Sequence, residues 1–184
     1  LAAAFSMTAA LPGAVLLGLL FWLVTTIGNL IAVPFILRSM DLGAQLSEPA
    51  IWRAVGLNAL AIANTKTSFA FVPALTLGIM CNALVCLAVW MGYSARTNID
   101  RAVTIIPPIA AFVTAGFEHC IANMYFLPLA WVMTATGQVP AGFDASVITL
   151  PGIIHNLVPV TLGNIAGGSG FVGLAYWTIY RKGL

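Results

Sequence analysis

The chain has 184 residues, of which 61% are hydrophobic and 7% charged, with a formal net charge of +2. Water-soluble domains carry roughly 25% charged residues, so this sequence holds too few charges to cover a solvated surface. The small, scattered positive excess gives no footing for nucleic acid as a partner. What remains is a polytopic integral membrane protein whose surroundings are the lipid bilayer.

The chain opens on Leu1, and Leu1–Ala10 lacks the basic leader and cleavage site of a signal peptide. It reads as a fragment or processed form that begins inside a larger membrane domain. No charge falls in 11–37, 67–95 or 145–180, and about 20 apolar residues are needed to cross the hydrocarbon core as a helix. The first span is expected over about 12–37, with Pro12 suited to the first helical turn. A polar connection from Arg38 to Lys66 follows, holding Asp41, Glu48, Pro49 and Arg53. Its middle, Ala50–Ala63, is apolar enough to lie along the membrane surface. The second span is expected over 67–93, opened by Lys66, and the short basic loop Ser94–Arg101 comes next.

The third span differs. The apolar run after Arg101 stops at Glu118-His119 and resumes to about Thr136, and neither half is comfortably long enough to cross alone. We therefore expect one span, 107–134, starting near Pro107-Pro108 and interrupted around Gly116-Phe117-Glu118-His119. Interrupted helices at membrane depth mark binding sites, because freed backbone groups must line a cavity rather than face lipid. The fourth span is expected over 150–180, with Pro151, Pro159 and Gly167-Gly168. Arg96 and Arg101 in one loop, and Arg181 and Lys182 in the tail, place both on the cytoplasmic side. Arg38, Arg53 and Lys66 then lie outside, against that trend.

An internal repeat is visible. Thr26-Ile27-Gly28-Asn29 in the first span returns as Thr161-Leu162-Gly163-Asn164 in the fourth. Spans that far apart cross in opposite directions, the arrangement of an inverted repeat of three-helix units. In that scheme the first helix and part of the second are missing from this chain.

Glu118 and His119 carry the main chemical signal, because ionisable groups inside a span are costly and mostly functional. On a continuous helix His119 and Asn123 share a face, and Phe112 lies near it. The bland alternative is that Glu118 and His119 only tie the helix to its neighbours. Glu118 points about 100° away from His119 and suits anchoring a broken backbone. Lys66 alone would be an interfacial anchor that snorkels. Asn82, Asn29 and Asn164 are apolar-span amides that either hydrogen-bond between helices or line a pore. Cys81, Cys86 and Cys120 read as buried small hydrophobes, with no zinc-ligand spacing. No metal and no cofactor is called for.

The strings Gly116-Phe117-Glu118-His119-Cys120-Ile121-Ala122-Asn123-Met124, Asn82-Ala83-Leu84-Val85-Cys86-Leu87-Ala88-Val89-Trp90 and Val160-Thr161-Leu162-Gly163-Asn164-Ile165, the last followed by Tyr176-Trp177, resemble the formate/nitrite transporter family. The resemblance runs from about Phe5 to Tyr180. It implies an aquaporin-like, all-α protomer with a broken helix at the pore. It also implies assembly as a homopentamer in a bacterial inner membrane, and a separate pore in each protomer. His119 would be the central pore histidine, Lys66 the outer vestibule lysine and Phe112 part of an apolar constriction. Asn82, Glu118, Asn123 and Asn164 would support or line the path, and Ser6 or Thr8 would stand for a threonine-bearing loop. Met124–Pro128 and Asn156–Val160 look more like formate than nitrite members; nitrite or hydrosulfide is the alternative. On this reading 1–184 is a single channel domain and no enzyme, since adjacent helical side chains such as Glu118, His119 and Cys120 diverge. A non-conducting membrane subunit is the rival of another class; an Asn-Pro-Ala pair, as expected of a neutral-solute channel, is absent.

Overall fold

The computed structural model describes residues 20, 23–29, 31–33, 35, 38 and 49–181. Residues 23–29 and 31–33 are helical. They are followed by α1 (Pro49–Thr67), α2 (Phe71–Ser94), α3 (Asn98–Thr114), α4 (Cys120–Ala135) and α5 (Leu150–Ile165). A π-helix (Ala166–Gly173) then leads into α6 (Leu174–Arg181). No strand occurs among the described residues.

Two boundaries differ from the sequence-based expectation. Lys66 does not open the second span: it lies in the last turn of α1, and α2 starts only at Phe71. The third apolar segment does not begin near Pro107. Thr97 Oγ1 accepts from the Asp100 amide at 3.1 Å while Asp100 Oδ2 accepts from the Thr97 amide at 3.0 Å. This reciprocal capping box satisfies two free N–H groups at a helix start. It begins α3 at Asn98, shortens the basic loop to the stretch before Thr97, and leaves Pro107 and Pro108 inside the helix. The whole stretch 150–181 is helical, with a change of register at Ala166.

Among the described residues two helical stretches are long and apolar enough to cross a membrane, Phe71–Ser94 and Leu150–Ile179. Apolar side chains also face outward. Val72, Met80 and Trp90 on α2, and Ile99, Val103, Ile106 and Val113 on α3, are all exposed. Lipid tails solvate such a surface at no cost, whereas water would not.

The chain divides into two compact units. One takes the described residues up to Phe69 together with Ile121–Asn156; the other takes Ala70–Cys120 with the described residues from Leu157 onward. In the first, Leu60 and Ala63 of α1 and Leu127 and Ala130 of α4 are buried completely. In the second, α2 packs on α3 and on the π-helix. Glycine sets the distance there: a Cβ on Gly163 would run into the Leu75 carbonyl, and one on Gly167 into the Ile79 carbonyl. Small residues let two membrane helices bring their backbones into contact, and that contact puts polar side chains of one helix within reach of the other's peptide groups.

Candidate functional site

In the second unit the candidate site starts at the end of α3. Gly116 has φ 68°, a conformation glycine adopts without steric cost. Phe117 N donates to Phe112 O at 3.0 Å and Gly116 N to Val113 O at 3.1 Å. That pair of bonds is a Schellman motif, which stops a helix and satisfies its last carbonyls. The chain then runs without helical structure through Glu118 and His119 until α4 begins at Cys120. His119 is half-buried, with its imidazole stacked on the Phe112 ring at 5.9 Å between centroids and 21° between planes. Glu118 is fully buried. The expectation that His119 and Asn123 share one helical face therefore needs correction: His119 precedes the helix, because the Gly116 turn ended the previous one.

Asn164 holds this non-helical segment in place. Its Nδ2 donates to Glu118 O at 2.9 Å and to Gly78 O at 2.9 Å, while its Oδ1 accepts from Cys120 N at 3.0 Å. The peptides on both sides of His119 are thereby tied to α5, and Gly78 on α2 is tied to the same amide. Asn164 is itself 5% exposed, so both its donors and its acceptor are used where water cannot replace them. Asn82 donates from Nδ2 to Asn164 O at 2.5 Å. That carbonyl lies just before α5 gives way to the π-helix, and a register change of this type leaves backbone groups that need outside partners.

The first unit holds the remaining candidates. Lys66 is half-buried, and its carbonyl accepts from Asn156 Nδ2 at 2.7 Å. Asn123 is fully buried on α4 and donates from Nδ2 to Asn156 Oδ1 at 2.8 Å. Asn29 Nδ2 donates to Ile121 O at 3.1 Å, and Thr26 Oγ1 to Met124 Sδ at 3.1 Å. Thus Thr26 and Asn29 of one copy of the repeated motif bind α4 in the first unit, and Asn164 of the other copy binds Glu118 and Cys120 in the second.

The sequence-predicted residues consequently fall into two groups: Phe112, Glu118, His119, Asn82 and Asn164 in the second unit, Lys66 and Asn123 in the first. Ser6 and Thr8 lie outside the described residues. Asn156 was not singled out as a site residue, although the same signal that marked the other amides, an Asn within a charge-free span, applies to it. Its side chain is fully buried and bonds to two other elements of its unit.

A half-buried imidazole on an aromatic face, carried by a segment pinned at both flanking peptides, can exchange a proton or a hydrogen bond with a small solute. The profile of the family described as Formate/nitrite transporter matches residues 3–178. The chain belongs to the formate/nitrite transporter family. It is similar to formate channel FocA of Escherichia coli (strain K12), 42% identical over 171 residues that cover 88% of this chain and 59% of that protein. It is similar also to formate channel FocA of Haemophilus influenzae, 39% identical over 163 residues, covering 83% of this chain and 56% of that protein. Among solved structures it resembles a pentameric formate channel with formate bound, with a TM-score of 0.71 and 41% identity over 85% of this chain and 62% of the other. The chain thus spans less than two thirds of the length of these members of the formate/nitrite transporter family.

Proposed function

We propose that this chain forms the conducting part of a channel that passes a small monovalent anion, formate, across a bacterial inner membrane, with its C-terminus in the cytoplasm. The observation that carries the reading is the His119 imidazole stacked on Phe112 at 5.9 Å, in a segment pinned by Asn164 on both sides. The identity to formate channels supports the choice of formate, and the pentameric neighbour supports a homopentamer with one path per protomer. The inverted-repeat, aquaporin-like arrangement with a broken pore helix rests on the Thr26–Asn29 and Thr161–Asn164 repeat and on family likeness.

The physical problem is to take an anion through an apolar constriction, where a bare charge is costly even after relaxation. Lys66 draws the anion in by its charge. Phe112 forms the apolar gate, and His119 beside it offers an N–H. Imidazole titrates close to neutral pH, so the imidazolium can hand a proton to formate, which then crosses as the neutral acid; the imidazole is reprotonated from water afterwards. Glu118, Asn82, Asn123 and Asn164 support the path. Ser6 and Thr8 are proposed for the threonine-bearing loop by family likeness alone.

Formate uptake into liposomes containing the reconstituted protein tests this, with proton movement followed in the same vesicles. Saturable formate flux accompanied by protons is expected, with nitrite and hydrosulfide competing weakly. Flux of nitrite in preference to formate would select the alternative substrate, and no anion flux at all would favour a non-conducting subunit.

A further inference from the structure

We propose that Asn156 is a positioning residue for Lys66, setting where α1 ends and hence where the lysine stands for an incoming anion; this rests on the channel reading above. Asn156 is fully buried in α5, where an amide without partners would be costly. The last carbonyls of a helix have no partner within it. For Lys66 O the nearby amide of Phe69 is a long 3.4 Å away, whereas Asn156 Nδ2 is at 2.7 Å. Directly after it, Thr67 is buried and turns its hydroxyl back to Ala63 O at 2.8 Å. The end of α1 is therefore held on both sides of the Lys66 peptide.

The direction of the chain of bonds is forced. A backbone carbonyl only accepts, so Asn156 must present its NH₂ to Lys66 and its oxygen to Asn123. Asn123 must then donate, as its 2.8 Å bond from Nδ2 to Asn156 Oδ1 shows. Asn156 thus works as a relay of fixed polarity between α4 and the end of α1. It touches no substrate; it acts through Lys66.

The test is formate flux against concentration in reconstituted liposomes for Asn156→Asp and Asn156→Leu, each alone and combined with Lys66→Met. Loss of one intramolecular hydrogen bond corresponds to roughly a threefold to tenfold change in an equilibrium constant. We expect the half-saturating formate concentration to rise by about that factor, with maximal flux nearly unchanged. Asn156→Asp should recover as pH falls, relative to parent protein at each pH, because the protonated carboxyl again donates to Lys66 O. Asn156→Leu should not recover. In the Lys66→Met background neither substitution should raise the concentration further. A fall in maximal flux alone, or an equal rise with Lys66 already replaced, would overturn the proposal and leave Asn156 a packing residue. If Asn156→Leu fails to assemble, Asn123→Asp withdraws the donor to Asn156 Oδ1 and should give the same shift in smaller measure; no shift would overturn the proposal. Acylation of the Lys66 amine, read by mass spectrometry against Lys182, gives an answer independent of transport. An altered rate at Lys66 alone upholds positioning even if the parent passes no formate, which would sink only the channel reading. An unaltered rate sinks positioning.

Discussion

Asn164→Ala removes three side-chain hydrogen bonds at once, to Gly78 O, to Glu118 O and from Cys120 N, of 2.9, 2.9 and 3.0 Å. A side-chain bond between membrane helices averages about 0.6 kcal/mol, and a general intramolecular one about 1 kcal/mol. Three of them give roughly 2–3 kcal/mol, before any penalty for peptide groups left buried without partners. For a chain of this size that is a drop in melting temperature on the order of 4–12 °C. Asn164→Asp keeps the acceptor for Cys120 N but turns a carboxylate oxygen toward the Gly78 and Glu118 carbonyls in a buried site, so it should fall at least as far. Thermal unfolding in detergent measures the first effect, and formate flux in liposomes measures the second, since loosening the peptides around His119 should reduce flux even well below the melting point. If Asn164→Ala melts with the parent protein and changes flux alone, Asn164 lines the path without holding the His119 segment. The reasoning from its three bonds would then be refuted.

His119→Asn keeps a hydrogen-bonding side chain and removes titration. The assembled protein should keep its size in detergent while its flux loses the pH dependence of the parent, and matching profiles between about pH 5 and 8 would dismiss the proton-donor role. Lys66→Met retains the apolar stem without the charge; formate flux should drop at low concentration and partly recover at high concentration, and an unchanged concentration curve would return Lys66 to interfacial anchoring. Gly163→Ala places a methyl against the Leu75 carbonyl, and overpacking of this kind costs about 1–3 kcal/mol. A melting temperature equal to that of the parent protein would show that α2 and α5 separate without penalty.

Membrane character was legible in the sequence because lipid acts locally: a charge-free run long enough to cross must appear as such in the chain, as it does in 67–95 and 145–180. The end of α3 was legible for a similar reason, since Gly116 can take the φ of 68° that ends a helix. The start of α3 was legible too and was missed: Thr97-Asn98-Ile99-Asp100 is a capping box, but Pro107-Pro108 drew the boundary instead. What no local pattern contains is the identity of each amide's partner. Asn164 meets Gly78 across 86 residues and Asn156 meets Lys66 across 90. A buried carbonyl takes whichever donor the packing brings near it. Which carbonyl each amide reaches was therefore decided by tertiary structure; in the second unit Gly163 and Gly167 let α5 and the π-helix approach α2 closely enough for Asn164 to reach Gly78.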